Sequence, residues 1–427
     1  MMYADEPIAV LCIVLIAMLP LALAGLALLN TGLGRSRSAA QSLLGALVAV
    51  SVAGVVFCVL GFSFAGFQGM TSYSLMLGSA RLDWIGATGL FFSGLHWDGS
   101  LPGYAAAFEL FAVGLAAMIP WGAGADRWRL RAVGLASALI GGVLFPLCAH
   151  WVWGGGWLSA LGADFQIGSG FVDPGGAATV QAFGGLTALV VVWLLGPRSS
   201  KFAGSAVPRA IPGHHIIYVL FGCMLLLPGW LAFNLLGATI FAGITPPMLL
   251  PVAMNTLFSA AMALLAAMFI TRIRFGKPDA SLCANGWVAG LVTSSAIAAY
   301  ATPAEAMIAG ALIGGAVPWL VELLEVYGRI DDPSGAIVVH GVAGVWGLFA
   351  LGFMGSFPPG QMLAQLIGIG TLLGVMLPAI YGCFWLLNRV FPFRTTPDGE
   401  ELGMDLHELG AGAYPEFVIY GDDFLPR

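Results

Sequence analysis

The sequence predicts an all-α protein that crosses a membrane eleven times, built as five helices, five more in the opposite sense, and one appended. Three observations carry this. Hydrophobic residues make up 59% of the 427 and charged residues 9%, with a mean hydropathy of +0.92. Soluble domains do not have that balance. Runs close to the roughly 20 apolar residues that span a hydrocarbon core recur along the whole chain. A thirteen-residue pattern also occurs twice: Asp173 to Gly185 reads DPGGAATVQAFGG, and Asp332 to Gly344 reads DPSGAIVVHGVAG.

The apolar runs place spans at 7–29, 40–64, 101–123, 132–150, 174–196, 214–236, 249–271, 281–299, 304–324, 335–354 and 361–388. An odd number puts the termini on opposite sides. Lys and Arg collect in cytoplasmic loops, and here they follow the odd-numbered spans. Arg35 and Arg37 follow the first, Arg127, Arg129 and Arg131 the third, and Arg198, Lys201 and Arg209 the fifth. Arg272, Arg274 and Lys277 follow the seventh, Arg329 follows the ninth, and Arg389, Arg394 and Arg427 belong to the tail. Of 16 basic residues only Arg81 falls on the other face. The N-terminus is therefore expected outside and the C-terminus in the cytoplasm. The net charge of −6 says little about partners in so apolar a chain. The start lacks a basic n-region, and Asp5 and Glu6 precede its apolar run, so it reads as a first span rather than a signal peptide.

The repeat gains meaning from this topology. Asp173 opens the fifth span from the outside and Asp332 opens the tenth from the cytoplasm, so the copies run in opposite directions. In each, Asp suits a helix N-cap and Pro the first helical position. A polar residue, Gln181 or His340, follows eight positions later. That is about 12 Å along a helix, near the middle of a core roughly 30 Å thick. Inverted repeats of this kind hold their site near the midplane, where the two halves meet. The repeats cover about 7–196 and 214–354, the eleventh helix about 361–388, the whole membrane domain 1–389, and a cytoplasmic tail 390–427.

Taken in order, the first span ends in glycines that permit close approach and carries Asn30 near its cytoplasmic end. Residues 66–100 read as a long outer loop without chemistry, His96 included. Glu109 lies inside the third span, where a carboxylate must face protein or water. It is open to two readings: a protonated or hydrogen-bonded packing residue, or a pore-facing acid that attracts cations. The fourth span ends in His150-Trp-Val-Trp153-Gly-Gly-Gly156, an aromatic followed by a tight bend. Such a Trp can hold a cation on its π face. His214 and His215 edge a cytoplasmic loop and read as solvated. The sixth span carries Phe233 and Asn234, and the tenth carries Gly341, Gly344 and Gly347 as a smooth packing face. The six cysteines fall in or at the ends of spans without a CxxC and read as small buried hydrophobes, with no metal or disulfide assigned. No nucleophile–base pair or metal cluster suggests an enzyme, and no cofactor or nucleic acid is expected.

Together these stretches resemble the Amt/Mep/Rh ammonium transporter family. The resemblance runs over nearly the whole chain: HWVWGGGWL (150–158), GWLAFN (229–234), MNT (254–256), GKP (276–278), VAGLV (288–292), DDPSGAIVVHGVAG (331–344) and the tail GMDL…GAGAY. It implies the ammonium-transporter fold, a homotrimer in a lipid bilayer, in the bacterial inner membrane, with one narrow pore per subunit and ammonium or ammonia as cargo. It leaves open a PII-type regulatory protein at the cytoplasmic face. By the resemblance, Trp153 is the outer aromatic that stacks on the cation, and Asp173 orders that site without touching substrate. Phe233 is one phenylalanine of the gate, and His340 is one of two facing pore histidines. Departures fall in the pore. Gln181 stands for the first histidine, Ala112 for the other gate phenylalanine, Gly237 for the serine of the outer site, and Glu109 for a glutamine. Leu29 and Asn30 stand for an aromatic pair. Three functions follow: a conducting ammonium transporter with a modified relay and a more open pore; a non-conducting ammonium sensor; or a transporter of another small cation or neutral molecule. The absence of a signalling domain before Arg427 argues against the second.

Overall fold

The computed structural model describes residues 6–78, 80–202, 207–355 and 357–414. Asp5 and Arg427, used in the topology argument, lie outside these. Among the described residues ten helices are long and apolar enough to cross a membrane: α1 Pro7–Leu33, α2 Ser36–Ala65, α3 Leu101–Ala123, α4 Leu130–Val152, α5 Ala177–Leu195, α6 Ile216–Phe241, α7 Pro246–Phe275, α8 Ala280–Ile297, α9 Pro303–Val326 and, after a shorter α10 Ile337–Leu351, α11 Gln361–Val390. Expected and observed spans agree to within five residues, and the fifth and tenth start four and five residues after their aspartates.

The late starts have one cause. Neither Asp-Pro opens a helix. Asp173-Pro-Gly-Gly176 and Asp332-Pro-Ser-Gly335 are turns that end on a left-handed glycine, at φ 81° and 70°, where a Cβ would be strained. The helix begins only after that glycine. Each aspartate caps it from a distance: Ala178 N and Thr179 N donate to Asp173 Oδ2 at 3.0 and 2.9 Å, and Ile337 N donates to Asp332 Oδ2 at 2.8 Å. The first six residues of α5 (Ala177–Ala182), and six at the start of α10 (Ile337–Val342), form a widened π-type turn, a form found mostly at functional positions.

The two copies cross in the core. A Cβ at Gly185 would lie 2.1 Å from Gly341 N, and one at Gly344 would lie 2.6 Å from Ala177 O and 3.0 Å from Ala182 N. Each copy's last glycine thus rests on the widened turn of the other. As the contact moves from 185 back to 182 in α5, it moves from 341 forward to 344 in α10. The helices are therefore antiparallel, as an inverted repeat requires.

One end of the bundle is basic and closed by buried ion pairs. Arg198, after α5, donates through Nε and Nη2 to Asp331 at 2.9 and 2.8 Å and through Nη1 to Asp126 at 2.9 Å. Arg127 Nη2 donates to the Asp331 carbonyl at 2.6 Å. The tail docks here. Asp405 accepts from Ala40 N and Gln41 N in the first turns of α2, and Glu408 accepts from Leu130 N at the start of α4, each putting a carboxylate at a positive helix end. His214 and His215 are half-buried and bonded rather than free in solvent. His214 contacts the Gly34 carbonyl and the Tyr414 hydroxyl, and His215 caps α6 and stacks on Tyr218 at 3.8 Å.

The opposite end carries a hairpin inside the long 66–100 segment: β1 Ser72–Leu77 pairs antiparallel with β2 Ala80–Gly86. Three residues of HWVWGGGWL anchor this hairpin. His150 Nε2 faces Asp83 Oδ1 at 3.4 Å, Trp151 Nε1 donates to the Trp84 carbonyl at 2.8 Å, and Trp157 N donates to the Asp83 carbonyl at 3.0 Å.

Gly185→Ala puts a methyl group into backbone and should destabilise the protein by about 1–3 kcal/mol, read as a lower midpoint of thermal unfolding in detergent. Gly382→Ala on α11, with nothing within 4 Å of the added carbon, should leave the midpoint unchanged or raise it. A second expectation concerns pH. Burial alone would raise the Asp331 carboxyl, but the bound Arg198 and the nearby Arg127 hold it well below the usual carboxylate range. A carboxyl held lower in the folded chain stabilises above its unfolded value, near 3.9, and that stability is lost as pH falls through the folded one. Asp331→Asn should therefore cost about 3–5 kcal/mol at neutral pH. The gap to wild type should close only below about pH 4 in a pH series of melts.

Candidate functional site

At the crossing of α5 and α10, His340 Nδ1 lies 2.7 Å from Gln181 Oε1. Gln181 is 2% exposed and His340 3%, so the bond is made away from bulk water. An amide oxygen only accepts, so Nδ1 donates, and the neutral ring keeps its lone pair on Nε2. The two side chains meet as the repeat arithmetic expects, though for a different reason. Gln181 is the fifth residue of α5 and His340 the fourth of α10, so they sit about 5–6 Å along their helix axes rather than 12 Å. The preceding turn supplies the remaining chain.

On the hairpin side a cavity of about 540 Å³ opens between helices, lined among others by Trp153, Phe171, Asp173, Phe241, Tyr300 and Phe357. Trp153 Nε1 donates to the Asp173 carbonyl at 2.7 Å. The Asp173 side chain takes Ala178 N, Thr179 N and Thr179 Oγ1 on Oδ2, while Oδ1 is buried without a partner among the described residues. Asp173 therefore ties three things together: the indole of Trp153, the turn, and the start of the helix that carries Gln181. The tip of the indole rests near Gly176, where an added Cβ would stand 3.4 Å from the ring.

The pore-lining expectations divide. Phe233 is placed beside the cavity, its ring edge-on to Phe108 at 5.2 Å. Phe108 also meets Trp153 at 5.4 Å and Phe241 at 5.5 Å, and Phe241 stacks on Trp153 at 4.8 Å and 8°. Neither Phe108 nor Phe241 was singled out from sequence. The signal was there: Phe108 is one turn before Ala112 on the same face of α3, and Phe233, Gly237 and Phe241 form an i, i+4, i+8 stripe on α6. The expected loosening at Ala112 is therefore met by a four-ring aromatic group one turn nearer the hairpin. Ala112 is fully buried. Gly237 does not line the cavity. Its Cβ would stand 2.1 Å from the Pro174 carbonyl, so α6 holds the Asp-Pro turn there and leaves no room for a hydroxyl. Glu109 does not line the cavity either. It is 0% exposed, and neither carboxyl oxygen has a hydrogen-bond partner among the described residues, which fits the packed reading in its protonated form rather than the pore-facing one. Asn30 is also buried, packed against Gly122. Among the described residues no group of three His, Cys, Asp or Glu could hold a metal.

An antiparallel helical repeat, a polar pair buried at its crossing and an aromatic cavity above it define a polytopic membrane protein of the transport-fold class. The sequence matches the Ammonium Transporter Family over residues 10–414, and the chain belongs to that family. It is 35% identical to ammonium transporter Amt2 of Archaeoglobus fulgidus over 92% of this chain and 85% of that one. It is 31% identical to ammonium transporter Amt1 of Haloferax mediterranei over 92% and 76%. Among solved structures it is similar to a sensor Amt protein, with a TM-score of 0.84 at 25% identity over 94% of this chain and 97% of that one. Candida albicans Mep2 shares the fold, with a TM-score of 0.80 at 23% identity over 97% and 93%.

The Asp173 geometry separates two roles. Asp173→Ala removes the acceptor for three donors and should cost about 1–2 kcal/mol. Asp173→Asn keeps an oxygen in place and should melt close to wild type. Thermal unfolding of both variants checks this.

Proposed function

We propose that this chain conducts ammonium nitrogen through the helix bundle of each subunit. Entry is at the hairpin-face cavity, and the path passes the Gln181–His340 pair. The observation that carries the reading is that pair: a buried amide bonded to a buried imidazole, at the crossing of two inverted repeats, with the amide on the helix that the cavity's aspartate caps. The hairpin face is the outer one, because the basic residues gather at the other end. The protein then sits in the bacterial cell membrane with its tail in the cytoplasm, as a homotrimer, and a PII-type regulator would meet the basic face. Trp153 offers a π face to the cation, and Asp173 adds negative potential at the mouth.

The amide changes the chemistry of passage. Two histidines could hand a proton between them, since each ring can donate or accept near neutral pH. Gln181 cannot titrate. It accepts the Nδ1 proton of His340 and fixes that tautomer, so a proton cannot cross by exchange between the two side chains. The four-ring group above the pair argues for a narrow, dry entrance in place of the wide, wet pore that Ala112 suggested. An alkali ion would lose its hydration there without a proton to shed, so potassium is excluded. A second reading, an ammonium sensor that binds without conducting, is favoured by the likeness to the sensor Amt structure and by the covered face of Trp153.

Liposomes holding the purified chain under an ammonium gradient decide between the two. Conduction predicts ammonium nitrogen uptake with no potassium current, and an ammonium current that appears or rises in Gln181→His. Ammonium binding by calorimetry without ammonium nitrogen uptake in the wild type would establish the sensor reading. Equal potassium and ammonium currents would rule out the dry entrance.

A further inference from the structure

Trp153 lines a cavity of about 540 Å³ and is nevertheless only 5% exposed. Its indole is covered by the protein's own rings. Phe241 lies parallel to it, centroids 4.8 Å apart and planes within 8°. Phe108 approaches edge-on at 5.4 Å and Phe145 at 6.4 Å. A cation held by an aromatic face sits within about 6 Å of the centroid, which is the space the Phe241 ring fills.

We propose that Phe241 is a built-in occupant of the cation face of Trp153, which ammonium must displace in order to bind. The inference rests on reading the hairpin-face cavity as the entry site. Of the three rings around Trp153, only Phe241 can yield. Phe108 and Phe145 are 0% exposed within long helices. Phe241 is half-buried and is the last residue of α6. Two residues on, Gly243 takes a left-handed φ of 64° with nothing within 4 Å of an added Cβ. Outward rotation of this ring at the helix end exposes an indole face already anchored through Nε1 to the Asp173 carbonyl. Phe67, 6.4 Å from Phe241 and also lining the cavity, is an aromatic neighbour on the cavity side.

The displaced ring makes Phe241 a specificity-determining residue. A stacked aromatic pair contributes about 0.5–1.5 kcal/mol beyond its buried area. A cation must offset that before it gains anything from Trp153, which sets a threshold that weak binders do not pass. Removing the ring should tighten ammonium binding about 3- to 10-fold. It should also narrow the preference for ammonium over methylammonium, because the space above the indole grows.

The test is calorimetric titration of the purified full chain with ammonium chloride and with methylammonium chloride. Wild type, Phe241→Ala, Phe241→Leu, Trp153→Leu and the Phe241→Ala/Trp153→Leu double variant are compared, with thermal melts confirming that each is folded. Phe241→Leu keeps apolar bulk without a stacking ring and carries the test if Phe241→Ala does not fold. The expected result is tighter ammonium binding without the ring, and no such gain once Trp153 is gone, because the two residues act on one site. Unchanged or weaker binding in Phe241→Ala overturns the proposal, as does an equal gain in the Trp153→Leu background. If wild type is silent and Phe241→Ala binds, Phe241 is a lock: the proposal stands and conduction by the wild type falls. If neither binds ammonium, the proposal and the entry-site reading fall together.

Discussion

The crossing of α5 and α10 is the constraint on which the rest of the structure depends. Two helices can bring their backbones into contact only where neither has side chains in the way, and Gly185, Gly341 and Gly344 clear that space. Close approach is also what lets a short side chain on one helix reach an imidazole on the other at 2.7 Å. The widened turns serve the same geometry. They shift the register of each helix so that Gln181 and His340 face one another while the glycines behind them still touch. Glycine contact, widened turn and polar pair are one construction, present twice because the sequence motif is.

The ends of the bundle divide the remaining work. At the basic end, Arg198 and Arg127 close the ends of α3 and α5 onto the segment before α10 through Asp331 and Asp126, and the tail caps α2 and α4. Such buried pairs hold register well because each partner is expensive to leave alone. At the hairpin end the interactions are aromatic and leave a cavity. Rings slide and rotate at lower cost than ion pairs separate, so the end we propose as the entry is built from the material that can move.

Much of this was legible in the sequence. Hydropathy gave the spans because the bilayer makes apolar length a direct measure of crossing. The asymmetry of the repeat gave the meeting of Gln181 and His340, since two identical patterns running oppositely can coincide only near the centre. What the sequence misled on was local. Asp-Pro is a common helix opener, but with glycine at the fourth position it is a turn, and the left-handed glycine outweighs the capping rule. The hairpin was missed because its strands expose Tyr73, Leu75 and Met76, which blurs the alternation of a half-buried strand. Phe241 was missed because it lies at a helix end, where an aromatic reads as an interface residue. Position-by-position transfer placed Gly237 as a site residue. The structure gives it to backbone packing against Pro174, which a sequence cannot distinguish from a lost side chain.

The Gln181–His340 bond joins residues 159 positions apart, and this separation bears on how the protein is made. A ribosome adding roughly 5–20 residues per second needs about 8–32 s to travel from one partner to the other. During that interval α5 stands in the membrane with an amide and no imidazole, and with Gly185 not yet packed against Gly341. The first five helices are thus an unfinished object: they can enter the bilayer by hydropathy alone, but their centre stays polar and loosely held until the tenth arrives. Assembly of the interior is a late event in biogenesis, and the nascent half is the form most exposed to membrane quality control.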